Sequence, residues 1–155
     1  MTHHRLLFVC LGNICRSPMA EGVFAHVATG AGYGERFTLD SAGTAGWHEG
    51  SPPDRRAQAA AAARGIDLSG LRARQVCKQD FIDFDMILAM DAANHEELLA
   101  LSTKGSVHKV RLFLDDAPET GQREVPDPYY GGDQGFEEVL DLVETGSRTL
   151  LARLI

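Results

Sequence analysis

The stretch from Leu6 to Pro18, LLFVCLGNICRSP, limits what this chain can become more than any other. Leu6-Leu7-Phe8-Val9 is a continuous apolar run, as in a strand buried on both faces. Ser17-Pro18 reads as an N-cap followed by proline in the first helical position. Between them the loop Cys10 to Arg16 must turn the chain. Gly12 and Asn13 tolerate left-handed backbone angles and can supply the turn. Strand, tight loop and helix in succession open an α/β unit.

The rest of the chain repeats that alternation. Met19, Val23 and Val27, with Phe24 alongside, recur at helical spacing and give the first helix an apolar face. Phe37 to Ser41 is a second expected strand. Asp54 to Arg64 is Ala-rich and ends at Gly65, a good helix stop. Asp85 to Met90 is a third strand, followed by a polar helix from Asp91 to Leu101. Val107 to Leu114 is a fourth strand. Phe136, Leu140, Val143, Leu150 and Leu154 mark a long C-terminal helix. The expected fold is α/β, one domain over residues 1–155, with a parallel sheet.

Composition removes several function classes. The 155 residues carry a net charge of −7 and no dense basic cluster, so nucleic acid is not the expected partner. No apolar run approaches the roughly 20 residues of a membrane span. Met1-Thr2-His3-His4-Arg5 leads directly into the first apolar run, so no export signal is expected. The 3 cysteines do not resemble a disulfide framework, which points to a reducing, cytoplasmic setting. Neither they nor His3-His4 have metal-ligand spacing, and no metal or cofactor is expected.

The opening loop sits where α/β folds bind ligands, at the carboxyl end of a strand and against a helix N-terminus. Inward backbone N–H groups around Gly12 and Asn13 would form an anion nest, and Arg16 adds a planar fork for two phosphate oxygens. The loop lacks the Gly-Lys-Ser/Thr ending of a nucleotide-binding loop. At its base Cys10 would feel the helix terminus, the nest and Arg16, all of which favour the thiolate. A thiolate behind a bound phosphate is a nucleophile aimed at phosphorus; the plainer alternative is a small buried residue. The partner such a thiolate needs, a proton donor for the leaving oxygen, is offered by Asp127 in Val125-Pro126-Asp127-Pro128-Tyr129-Tyr130. Two prolines stiffen that segment.

These residues resemble the low-molecular-weight protein tyrosine phosphatases over nearly the whole chain. The likeness rests on VCLGNICRSPMAE, SAGT at Ser41 to Thr44, ARQ at Ala73 to Gln75, MD with Asn94 three residues beyond Asp91, and DPYY at Asp127 to Tyr130. It implies a four-stranded parallel sheet with helices on both faces, of flavodoxin-like type, and metal-free, two-step hydrolysis of phosphotyrosine in proteins that releases inorganic phosphate. It makes Cys10 the nucleophile, Arg16 the phosphate clamp and Asp127 the general acid and base. Leu11, Gly12, Asn13, Ile14, Cys15 and Ser17 become the phosphate-binding loop, and Asn13, Ser17 and Ser41 the network holding loop and thiolate. Trp47, Tyr129 and Tyr130 match pocket-wall aromatics, although Trp47 fits a half-buried loop anchor equally well. Leu71 departs from the pattern, because many relatives carry histidine there, bonded into that network.

Three rivals share parts of this chemistry. Arsenate reductases use the same fold and loop but need a relay of further thiols, and Cys77 has no second cysteine nearby. Protein-arginine phosphatases usually carry threonine where Ile14 stands. A phosphate-binding module without turnover would need neither Cys10 nor Asp127. Cys15 remains double-valued: either packing under the loop, or a redox partner that captures oxidised Cys10 as a disulfide.

Overall fold

A computed structural model describes residues 2–155. Its elements in chain order are β1 (His4–Cys10), α1 (Arg16–Gly30), β2 (Phe37–Gly43), α2 (Arg55–Ala62), α3 (Asp80–Asp83), β3 (Met86–Ala89), α4 (Ala92–Leu101), β4 (Val110–Leu112) and α5 (Asp133–Leu154). The four strands form one sheet in the order β2-β1-β3-β4, with every pairing parallel. The chain leaves β1 toward β2 on one side and returns to β3 on the other. The carboxyl end of β1 therefore lies at the point where strand order reverses, the usual ligand crevice of such sheets.

β1 sorts its side chains by twos onto the two faces. Leu6, Phe8 and Cys10 join the core beneath α1 and α5, while Leu7 and Val9 join a second core with Phe81, Phe84 and Leu98. Phe8 and Phe24 are fully buried, with ring centroids 5.9 Å apart. Burial on both faces explains why β1 has an unbroken apolar run.

Element boundaries depart from the sequence reading at informative places. β2 runs to Gly43 rather than Ser41, because Ala42 and Gly43 pair with Val9 and Cys10. The helix after the loop begins at Arg16 with Cys15 as N-cap, and no side chain caps it. Ser17 is thus no cap; its hydroxyl is engaged by Cys10 and Asn13 instead. Asp54 and Asp91 do cap α2 and α4, accepting from the N–H groups of Arg56 and Asn94. The expected fourth strand, 107–114, shrinks to three residues between 3-10 turns at Val107–Lys109 and Phe113–Asp116. β3 offers it only Ile87 to Ala89 as partners, and Phe113 and Leu114 turn away into the core against α5. α3 is a single four-residue turn, DFID, too short to show a helical period in the sequence.

The end of β2 is also where SAGT meets ARQ. The N–H of Gly43 donates to the carbonyl of Arg74 and its carbonyl accepts from Val76, while Thr44 and Ala45 donate to the carbonyls of Cys10 and Leu11. A methyl group on Gly43 would lie 2.6 Å from the Leu11 carbonyl oxygen and 2.9 Å from that of Ala45. Both are backbone atoms, with no side-chain freedom to move aside. Gly43→Ala is therefore expected to cost about 1–3 kcal/mol, the usual range for overpacking. Urea unfolding checks this: the midpoint should fall at constant m-value, and an unchanged midpoint would mean that the loop backbone yields freely.

Candidate active site

The residues at the end of β1 converge on one sulfur. The Sγ of Cys10 lies 3.0 Å from the Ser17 hydroxyl and accepts the N–H of Asn13 at 3.3 Å. Asn13 adopts φ 58°, the only positive φ outside glycine among the described residues. The left-handed turn thus falls on Asn13, not on Gly12. Gly12 meets a different need, since a Cβ there would stand 3.0 Å from the His48 ring. The Asn13 amide donates to Ser17 at 2.8 Å and to Ser41 at 3.0 Å, and its carbonyl accepts from the N–H of Arg74 at 3.0 Å.

Arg16 is 3% exposed, so its charge needs partners. Nη1 donates to Asp91 at 2.6 Å and to the carbonyl of Val125 at 3.1 Å. Nη2 faces Asp127 at 3.7 Å. Burial opposes the guanidinium charge, but Cys10, Asp91 and Asp127 outweigh it and raise the pKa of Arg16. Asp127 itself is 40% exposed at the rim, where the N–H of Tyr129 donates to it at 3.0 Å.

Above Cys10 and Arg16 opens a cavity of about 270 Å³. Leu11, Gly12, Ile14 and Cys15 contribute to its lower wall, and Trp47, His48, Tyr129 and Tyr130 rise around it. Trp47 is 73% exposed, so it is no half-buried anchor. The rings of Tyr129 and Tyr130 meet edge to face, with centroids 4.9 Å apart.

Residues 5–155 match the low molecular weight phosphotyrosine protein phosphatase family. The chain belongs to that family. It is similar to a low molecular weight protein-tyrosine-phosphatase of Bacillus subtilis, with 45% identity over 149 residues covering 96% of this chain and 94% of the relative. The crystal structure of a protein tyrosine phosphatase from Entamoeba histolytica superposes with a TM-score of 0.94 at 41% identity, covering 97% of this chain and 96% of that one. A Drosophila arginine phosphatase also superposes, with a TM-score of 0.90 at 31% identity and 96% coverage of each chain. The fold is common to both activities, so a choice between them must rest on the site.

Within this family member, every site residue singled out from the sequence lies in or directly behind the cavity. Two further residues escaped that reading. In the sequence Asp91 stands out only as part of a motif, although it follows a strand and opens a helix, which is a signal for a crevice position. His48 carried no signal beyond its neighbour Trp47. Leu71 is half-buried against the α1-side core, and the bonds among Asn13, Ser17 and Ser41 stand without a histidine there.

Behind this network sits Glu21 on α1. Its carboxyl is hydrogen-bonded by Ser41, yet Oε1 is buried without a partner. Burial raises its pKa from the ordinary 4.5 to about 7, opposed by the Ser41 bond, increased by Asp40 and opposed by Arg74. The folded chain therefore binds this proton more tightly than the unfolded one. Between about pH 4.5 and 7 the unfolded state has lost the proton while the folded state still holds it, so stability falls as pH rises through that window. The decline is expected to be about 1–3 kcal/mol. Denaturant titrations at pH 5 and pH 8 should give a smaller difference for Glu21→Gln than for the wild type; an equal difference would assign the slope to other groups.

Proposed function

We propose that this protein hydrolyses phosphotyrosine in proteins through a cysteinyl-phosphate, with Cys10 as nucleophile, Arg16 as clamp and Asp127 as general acid and base. The observation that carries the reading is the convergence of a buried arginine, a sulfur bonded by the Ser17 hydroxyl and the Asn13 N–H, and a rim carboxyl on one cavity.

Nη1 of Arg16 is engaged by Asp91 and Val125, and the Nη2 side of the fork, which faces Asp127 at 3.7 Å, would take a bound phosphoryl group. The loop N–H groups and the start of α1 add further attraction for the anion. Cys10 Sγ attacks phosphorus as the phosphorus–oxygen bond to tyrosine breaks, and protonated Asp127 gives its proton to the tyrosyl oxygen. Water then attacks the cysteinyl-phosphate while the Asp127 carboxylate takes its proton. The sulfur–phosphorus bond breaks, and the thiolate returns to its donors, Ser17 and the N–H of Asn13. Inorganic phosphate departs. Charge developing on the equatorial oxygens in both steps faces groups already in place, which is the efficient arrangement.

The cavity walls support tyrosine as the substrate side chain. Trp47, Tyr129 and Tyr130 can flank an aryl ring, and because Cys10 is buried, a long aryl phosphate should reach its sulfur more readily than a short phosphoserine. Ile14 offers no hydroxyl to a guanidine phosphate, which disfavours the arginine activity named for the Drosophila neighbour. A cytoplasmic setting with reduced thiols suits this mechanism; no helix among the described residues is long and apolar enough to cross a membrane.

The test compares phosphotyrosine, phosphoserine and phosphoarginine peptides, with arsenate reduction as a control. Turnover should be confined largely to phosphotyrosine and unaffected by chelators. Cys10→Ser should bind vanadate without turnover, and Asp127→Asn should slow kcat/KM by about 10²–10⁴-fold. Comparable rates on phosphoserine, or an active Cys10→Ser, would reject the reading.

Cys15 supports a redox extension of the same site. It is buried yet borders the cavity, and burial, then Asp54, Cys10 and Asp127, push its thiol pKa strongly upward. Peroxide would oxidise Cys10 to the sulfenic acid; the Cys15 sulfur then displaces its hydroxyl, which leaves as water with the Cys15 proton. A protonated thiol attacks slowly, so resolution should accelerate as pH rises. Mass spectrometry is expected to find a Cys10–Cys15 link after mild peroxide, with activity restored by a thiol reductant. Cys15→Ser should lose that recovery; a full recovery would leave Cys15 as packing alone.

A further inference from the structure

The segment 126–132 carries Asp127 and two wall tyrosines, yet little fastens it. Val125, just before it, is held by Met90 and Arg16. Beyond that point Gly132 accepts from the N–H of Gly135 in α5 and Asp127 faces Arg16 at 3.7 Å, and the side-chain hydrogen bonds that reach 126–132 from another segment come from one residue among those described. Arg56, on the first turn of α2, donates from Nη2 to the Tyr129 carbonyl at 2.9 Å and from Nη1 to the Gly131 carbonyl at 3.2 Å. Its guanidinium also lies 5.6 Å from the Tyr129 ring centroid and 4.7 Å from that of Phe136 on α5.

The other end of this side chain is equally fixed. Asp54 accepts from Arg56 Nε and Nη2, each at 3.1 Å, and from its backbone N–H at 2.8 Å. The N–H of Asp54 in turn donates to the carbonyl of Ile14, inside the loop that follows β1, at 2.8 Å. A continuous set of bonds thus runs from the Ile14 carbonyl through Asp54 and Arg56 to Tyr129. The last link reaches the acid, because the N–H of the same Tyr129 donates to Asp127 at 3.0 Å. Arg56 does not line the cavity.

We propose that Arg56 is a positioning residue that sets the distance between the Asp127 carboxyl and the phosphate-binding loop. The inference rests on Asp127 being the general acid. A planar fork with several donors can hold two carbonyls and a carboxylate at once, which an ammonium on a flexible stem cannot. Without it, 126–132 keeps its internal turns but loses its register on the loop below, so the proton donor drifts while the phosphate site stays built.

That distinction gives the test, a series of aryl phosphates with good and poor leaving groups. Arg56→Gln is expected to lower kcat/KM about 10–10²-fold for phenyl phosphate, whose leaving group needs a proton, and about twofold or less for a nitrophenyl phosphate. Inhibition by inorganic phosphate should not change. In the double variant Arg56→Gln/Asp127→Asn the two losses should not multiply, since both remove one function. Arg56→Lys, which keeps the charge beside Asp54 but spans fewer acceptors, should give the same signature in weaker form and serves if Arg56→Gln does not fold. Equal losses across leaving groups, weakened phosphate inhibition or multiplying losses would overturn the positioning role while leaving the acid intact. A leaving-group-independent Asp127→Asn would overturn the acid assignment itself, and this inference with it.

Discussion

Asn13 carries more of this structure than its size suggests. A non-glycine residue in the left-handed region is under strain unless its surroundings hold it there. Here they do: its amide bonds Ser17 and Ser41, its carbonyl takes the N–H of Arg74, and its own N–H points at Cys10 Sγ. Segments far apart in sequence thereby share one small side chain. The loop cannot relax without breaking contacts to β2 and to the stretch at 73–76. What the loop presents upward, a ring of polar groups around a sulfur, is fixed from below. Buried polar clusters are costly when half-satisfied and rigid when complete, and both amide hydrogens and the amide oxygen of Asn13 have partners.

Arg16 poses the complementary problem. A buried guanidinium is destabilising without matched acceptors, and removing one partner from such a group costs more than the pair itself contributes. Asp91 solves this from the end of β3 and the Val125 carbonyl from the connection between β4 and α5. Both sit at the carboxyl edge of the sheet beside β1, so strand order itself delivers the partners. The same edge brings Asp127 within reach. The sheet is thus a jig: it holds still the backbone ends from which the polar groups project.

Much of this was legible in the sequence, for a physical reason. The Cys10–Ser17 cluster is local, so neighbouring residues declare it together, and the rigid Pro-Asp-Pro context marks Asp127. Unbroken apolar runs identified β1 and β3, because strands covered on both faces have no polar side to show. The failures involve contacts that only the folded chain creates. Asp91 and His48 reach the site through tertiary approach. β4 looked long because five of the eight residues 107–114 are apolar, but short β3 limits its pairing and the core claims Phe113 and Leu114. Ser17 resembled a cap by position, yet its hydroxyl has nearer partners at the sulfur. Gly12 and Asn13 both suit a left-handed turn by residue type; in the fold Asn13 makes the turn and Gly12 provides clearance.

The exposed aromatic rim has a different consequence. Trp47 is 73% and Tyr130 93% exposed, so neither ring contributes much to the folded state, and replacement of such residues usually changes stability by less than about 0.5 kcal/mol. The polar groups beneath belong to a separate, buried set of bonds. Mutational drift can therefore rewrite the upper wall while the apparatus below is inherited intact. A lineage built on this architecture can explore new target proteins through folded, competent intermediates at each step.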